Sequence, residues 1–314
     1  MKVLITDKIE QTALKALSAA GFELNQIVGK DRSFYLDSID AYDGVIIRSA
    51  LKFDREFIDR AAKLKFIARV GAGMENIDVD YARSKGIQCI NSPEGNRSAV
   101  GEHAVGMLLM LFRNLSRADR QVRQGAWLRE ANRGIELEGK TVGIVGYGNM
   151  GSAFARRLRG FDVKLLAYDK YKNGFGDDFV RESTMEQLFR DCDIVSIHTP
   201  LTAETKYMVN RQWIASFEKP VYLVNTARGP IVKTDDLAEA LKSGKLAGAC
   251  LDVLEYETLG FEHISGLRPP EALKYLFQSD KVVLSPHIAG LTRESYIKLT
   301  KVIVDKILNL FPAG

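Results

Sequence analysis

Short runs of β-branched and other apolar residues recur along the chain: KVLIT, GVIIRS, KFIARVG, TVGIVG, VKLLAYD, DIVSIHT, VYLVNTA, AGACLDV and KVVLS. Segments of helical character separate them. This alternation is the strongest constraint on the fold. A strand apolar on both faces cannot border water, so it calls for a parallel sheet covered by helices. The expected class is therefore α/β, doubly wound. A length of 314 residues suits two domains, and 46% apolar residues supply a core for each.

The stretch NRSAVGEHAVGMLLMLFRNLSRADRQVRQGAW reads as one long helix, apolar in its first half and basic in its second. It runs into LEGKTVGIVGYGNMG with no Pro/Gly-rich linker. One domain is thus expected to be inserted into another. Residues 1–97 with 289–314 would form the outer domain and residues 98–288 the inserted one, with boundaries near Arg97 and just after His287.

A formal charge of +4 leaves no footprint for nucleic acid. The longest apolar stretch, Ala104 to Phe112, is too short to span a bilayer, so no membrane partner is expected. MKVLITD enters a strand-like run directly, without the pattern of a signal peptide. Cys89, Cys192 and Cys250 lack CxxC spacing, so neither disulfides nor a metal site is expected. A cytoplasmic location follows as the expectation.

TVGIVGYGNMG places Gly146, Gly148 and Gly151 directly after a strand and before SAFARRL, which reads as a helix. Gly146 permits a tight turn, Gly148 lets backbone approach a pyrophosphate, and Gly151 allows close helix–strand packing. The pyrophosphate would rest on the first amides of that helix. Asp169 ends the next strand, 169 − 151 = 18 residues on, where it would accept the ribose hydroxyls and repel a 2′-phosphate. Lys170 and Lys172 would soften that exclusion. The cofactor expected is NAD rather than NADP.

A nicotinamide enzyme working on a hydroxy acid also needs a cation for the carboxylate, an acid/base, and a group that orients the base. Arg228 in NTARGP offers a planar fork after a strand, although alone it reads equally as a surface or capping arginine. His287 in SPHIAG, taken alone, reads as a structural histidine. Glu257 in LDVLEYE would fix its tautomer and stabilise its protonated form. All three follow strands, where ligands of doubly wound folds bind.

Together and in order, RVGAGMENID, NSPEGNRSAVGEHAVGMLL, GKTVGIVGYGNMG, HTPLT, NTARGP, LDVLEYE and SPHIAG resemble the D-isomer-specific 2-hydroxyacid dehydrogenases over nearly the whole chain. The likeness is greatest to short D-3-phosphoglycerate dehydrogenases lacking a C-terminal regulatory domain. The resemblance implies that Arg228 binds the carboxylate, His287 is the acid/base and Glu257 its partner. It implies cofactor contacts at Gly146, Gly148, Asn149, Met150, Gly151, Asp169, His198, Thr199, Pro200, Thr226 and Ala227, with Asp252 on the nicotinamide carboxamide. The Ala72 and Gly73 amides would grip the carboxylate from a flavodoxin-like substrate domain across a closing cleft. A homodimer would form through Val100, Ala104, Met107, Leu108 and Leu111, although a buried intramolecular helix explains those residues equally.

Thr258 stands where the family usually has proline, and the Glu257-to-His287 interval of 287 − 257 = 30 residues is long. TLGFEHISGLRPPEALKYLFQ would form an extra surface excursion, and Glu255 is the fallback partner for the histidine. Arg48 and Arg129 match phosphate-contacting positions of phosphoglycerate enzymes, with Arg69 and Arg133 as further candidates; solvated or interdomain arginines are the alternative. The expected reaction is oxidation of 3-phospho-D-glycerate to 3-phosphooxypyruvate, as in serine biosynthesis. A reductase for glyoxylate, hydroxypyruvate or another 2-keto acid is the runner-up. A non-enzymatic NAD-sensing corepressor-like scaffold is the rival from another class.

Overall fold

The computed structural model describes residues 1–257 and 269–312. Thr258 and the first part of the expected excursion lie outside them. The chain divides into two compact units, residues 1–97 with 291–312 and residues 98–257 with 269–290.

In the first unit, β1 (Lys2–Ile5), β2 (Glu23–Gln26), β3 (Gly44–Ile47), β4 (Phe66–Arg69) and β5 (Gln88–Asn91) form an all-parallel sheet. Its order, β2-β1-β3-β4-β5, is that of flavodoxin-like folds. Alternate residues feed two cores. Leu4, Val45, Ile47 and Ile67 enter one, while Val3, Ile5, Ile46 and Phe66 enter the other. The second core is closed by Leu299, Ile303, Val304 and Ile307 of the helix Arg293–Leu310. That helix starts on a capping box, in which the Thr292 hydroxyl accepts the Ser295 amide at 3.0 Å and the Ser295 hydroxyl accepts the Thr292 amide at 2.9 Å.

The second unit holds β6 (Thr141–Val145), β7 (Lys164–Tyr168), β8 (Val180–Glu182), β9 (Ile194–Ile197), β10 (Val221–Asn225), β11 (Leu246–Leu251) and β12 (Val282–Leu284). They pair in parallel as β12-β11-β10-β9-β6-β7-β8. The chain leaves β6 toward β7 on one side and later fills the other side from β9. The order therefore switches between β6 and β9, where such folds open a crevice at the strand ends. Val145, Leu223 and Leu251 pack on one face of the sheet and Ile144, Val224 and Cys250 on the other, as buried parallel strands require.

Several expectations change. The long helix is two helices, Pro93–Phe112 and Leu115–Arg123, broken where Asn114 takes a left-handed φ of +53°. β2, β5 and β8 carry polar residues (ELNQ, QCIN, VRE), so their apolar signal is weak. Ala104, Met107, Leu108 and Leu111 are buried in the unit's own core with Ile144 and Phe154, and Val100 is buried as well. These five side chains are spent inside the unit, as a buried intramolecular helix requires. Residues 271–278 form the helix Glu271–Gln278, which buries Leu273 and Leu276 in the core. That part of the expected surface excursion is core.

Candidate active site

The glycine loop leaves β6 and enters the helix Asn149–Arg157, whose first residues are Asn149 and Met150. Gly146 has φ +92°, and a Cβ there would lie 2.9 Å from the His198 backbone. At Gly151 a Cβ would lie 2.1 Å from the Gly146 carbonyl oxygen. Among the described residues nothing would lie within 4 Å of a Cβ at Gly148, and none caps the helix it begins with a side chain. The first amides thus keep their hydrogen-bonding capacity beside a bare backbone, which suits an anion such as a pyrophosphate.

Asp169 follows β7. Its Oδ2 accepts the Tyr147 amide at 2.8 Å, and its Oδ1 accepts the Tyr171 and Lys172 amides at 3.0 and 3.1 Å. A carboxylate has about four acceptor sites, so capacity for ribose hydroxyls remains. Lys170 is bonded to Glu204, and the Tyr171 hydroxyl also donates to Glu204 at 3.2 Å. Glu204, which the sequence did not single out, therefore draws the first of the two lysines away.

After β9, His198 bonds Ser196 through Nε2 at 2.8 Å, and its Nδ1 is sealed from solvent. Burial pushes its pKa down to about 3, so the ring is neutral at neutral pH. His198 Nδ1, Thr199 Oγ1 and Thr226 Oγ1 are buried without a hydrogen-bond partner among the described residues. Buried polar atoms normally have partners. Their position after β9 and β10 fits a ligand that completes them. Pro200 is exposed and Ala227 is buried.

The proposed chemical groups share the same sheet edge. Arg228 follows β10 in a turn stapled by buried Asn225, whose Oδ1 accepts the Ala227 amide and whose Nδ2 donates to the Arg228 carbonyl, both at 3.0 Å. Arg228 Nη1 donates to the Ala227 carbonyl at 2.6 Å. Glu257 Oε2 lies 2.6 Å from His287 Nδ1, and its Oε1 accepts the Leu254 amide at 2.5 Å. The long interval between the two residues therefore leaves the pair intact. Glu255 is engaged elsewhere, accepting the Tyr207 hydroxyl at 2.6 Å and the Thr234 amide at 3.0 Å, which removes it as the fallback.

Asp252 follows β11. It is 1% exposed, and its carboxylate accepts the Ser285 hydroxyl and the Ile288 and Ala289 amides.

In the first unit, Ala72 and Gly73 follow β4, where Asn91 Nδ2 donates to the Ala72 carbonyl at 2.6 Å. Arg48 follows β3, its amide held by Asp7 at 2.9 Å. Arg69 is buried at the end of β4. In the second unit Arg129 is exposed, while Arg133 pairs with Glu130 at 2.6 Å.

A family model described as D-isomer specific 2-hydroxyacid dehydrogenase, NAD binding domain, matches residues 105–289. The chain belongs to that family. It therefore carries the family's NAD-binding domain, and the glycine loop and orphaned polar atoms fit the cofactor. The chain is 35% identical to D-3-phosphoglycerate dehydrogenase of Archaeoglobus fulgidus over 99% of its own length and 57% of that relative. It thus spans little more than half of the phosphoglycerate dehydrogenases it matches. It is 38% identical to hydroxypyruvate reductase of Thermotoga maritima, over 86% of this chain and 85% of the other. A glyoxylate reductase crystal structure from Paecilomyes thermophila superimposes with a TM-score of 0.87 at 26% identity, covering 100% of this chain and 96% of the other.

Proposed function

We propose that the protein is an NAD-dependent D-2-hydroxyacid dehydrogenase that oxidises 3-phospho-D-glycerate to 3-phosphooxypyruvate. The observation that carries the dehydrogenase reading is the 2.6 Å bond between Glu257 and His287 Nδ1, at the strand-end edge that also bears the glycine loop. With Nδ1 committed to Glu257, His287 Nε2 takes the hydroxyl proton as hydride leaves substrate C2. Glu257 stabilises the imidazolium that results. Arg228 holds the carboxylate and polarises the carbonyl as it forms. The nicotinamide, when bound, supplies the hydride acceptor.

The phosphoglycerate reading is supported by relatives at about a third identity over nearly the whole chain. Its candidate phosphate ligands are Arg48 in the first unit and Arg129 in the second, and the Ala72 and Gly73 amides are candidate donors to an anion. The hydroxypyruvate reductase relative, matched over 85% of its length, favours a second reading as a reductase of small 2-keto acids. Initial rates of NADH consumption with 3-phosphooxypyruvate, hydroxypyruvate, glyoxylate and pyruvate decide between them. Preference for the phosphorylated acid, lost on Arg48→Ala, is the expected result. Best activity on an unphosphorylated acid replaces the substrate, and NADH binding without any turnover removes the enzyme.

The reading also includes a homodimer. Since Val100, Ala104, Met107, Leu108 and Leu111 are buried within the unit, the reading gives the contact to the exposed Leu115, Val122, Trp127 and Leu128.

A further inference from the structure

The turn that presents His287 hangs on Asp252. The carboxylate takes the Ser285 hydroxyl at 2.6 Å and the Ile288 and Ala289 amides at 2.9 Å each, and the Asp252 carbonyl takes the His287 amide at 2.7 Å. Residues on both sides of His287 are therefore tied to one buried side chain. His287 itself has φ +55°. A non-glycine residue keeps that conformation only where its surroundings over-determine it.

The chain of bonds continues past Ser285. His103, on the helix Pro93–Phe112, places Nε2 2.9 Å from Ser285 Oγ and 3.4 Å from Asp252 Oδ1. Ser285 gives its single hydroxyl proton to Asp252, so its oxygen receives the N–H of His103. The order is His103 Nε2–H to Ser285 Oγ–H to Asp252 Oδ1. Burial works against the charge on Asp252, but the bonds from His103, Ser285, Ala289 and Ile288 outweigh it and hold the carboxyl below its ordinary range. Charge-assisted bonds of this kind are the strong ones in a dry setting.

We propose that His103 is a positioning residue for His287, acting through Ser285 and Asp252. It touches no reacting atom. It fixes the carboxylate that fixes the turn, so that the imidazole stays aimed. The inference rests on the acid/base role proposed for His287.

The test uses the full chain with His103→Ala, His103→Gln and Ser285→Ala. Glutamine keeps an N–H donor at nearly the reach of Nε2. His103→Ala and Ser285→Ala are expected to lower kcat about tenfold, with KM for NADH within about twofold of the parent, since small misplacements act on the chemical step. His103→Gln should recover most of the rate. The chain has four histidines, so ring carbon–proton NMR lines give a second reading. The His287 line, assigned by His287→Ala, should move in His103→Ala and Ser285→Ala and return in His103→Gln. Parental kcat with an unmoved line in both disrupting variants overturns the proposal. So does a glutamine variant as impaired as alanine. A raised KM for NADH at unchanged kcat also overturns it and returns Asp252 to the nicotinamide. Should the parent turn over no hydroxy acid, the proposed activity fails while the NMR line still decides the positioning. Should His103→Ala fail to fold, Ser285→Ala cuts the same link.

Discussion

A carboxylate bonded to one nitrogen of an imidazole does two separable things: it orients the ring and it offsets the charge the ring acquires. Glu257→Gln separates them, since the amide keeps the shape and loses the charge. We expect kcat to fall roughly a hundredfold, in the range that general acid–base groups contribute, with NADH affinity by fluorescence titration unchanged. A parental kcat in that variant would remove Glu257 from the chemistry. The glycine loop makes a complementary prediction on binding. At Gly151 a Cβ would sit 2.1 Å from the Gly146 carbonyl oxygen, whereas a Cβ at Gly160 would meet nothing within 4 Å among the described residues. Gly151→Ala should raise the dissociation constant for NADH at least tenfold, and Gly160→Ala should leave it alone. Equal behaviour of the two would mean that the loop does not cradle the cofactor.

At the scale of elements, the helix Pro93–Phe112 contributes to the core of the second unit, and Leu108 has no exposed surface. Leu108→Ala should cost about 2–5 kcal/mol of stability in urea unfolding. Trp127, 76% exposed, should tolerate Asp with little change in melting temperature. If the homodimer forms as proposed, Trp127→Asp halves the mass seen by light scattering; an unchanged mass excludes that face. The central strands were legible because runs such as TVGIV and VYLVN are apolar on both faces. The edge strands β2 and β8 were not, because among the described residues each borders a single partner strand and carries polar residues there. The bond between Glu257 and His287 was legible as a pairing of residue types at strand ends. The roles of Asp252 and His103 were not. Where a carboxylate points depends on the turn that folds over it, and GEHAVG looks like any amphipathic helix until Ser285 closes on His103.

For the whole molecule, the neutral imidazole of His198, with its Nδ1 sealed from solvent, sets an acid limit. Its pKa in the fold is about 3, against an ordinary value near 6.5. An unfolded chain takes up the proton below pH 6.5 and the folded one does not. The stability this contributes is therefore fully present above pH 6.5 and declines as pH falls through the window down to about 3, by about 1.4 kcal/mol per unit. Between pH 7 and pH 5, the parent should lose about 2 kcal/mol more than His198→Gln in urea unfolding. Parallel pH curves for the two proteins would show that the ring titrates normally.

The place of β12 in its sheet has a consequence for how the protein fails on heating. Among the described residues it is three residues long, the last in a row of seven, and bonded to β11 on one side only. Short outer strands detach at a fraction of the free energy needed to open a sheet. His287 follows three residues after the last residue of β12, Leu284. Catalytic competence should therefore fade some degrees before the circular dichroism of the sheet changes. A sample cooled from that interval should regain its rate, because the rest of the scaffold has stayed folded to receive the strand again.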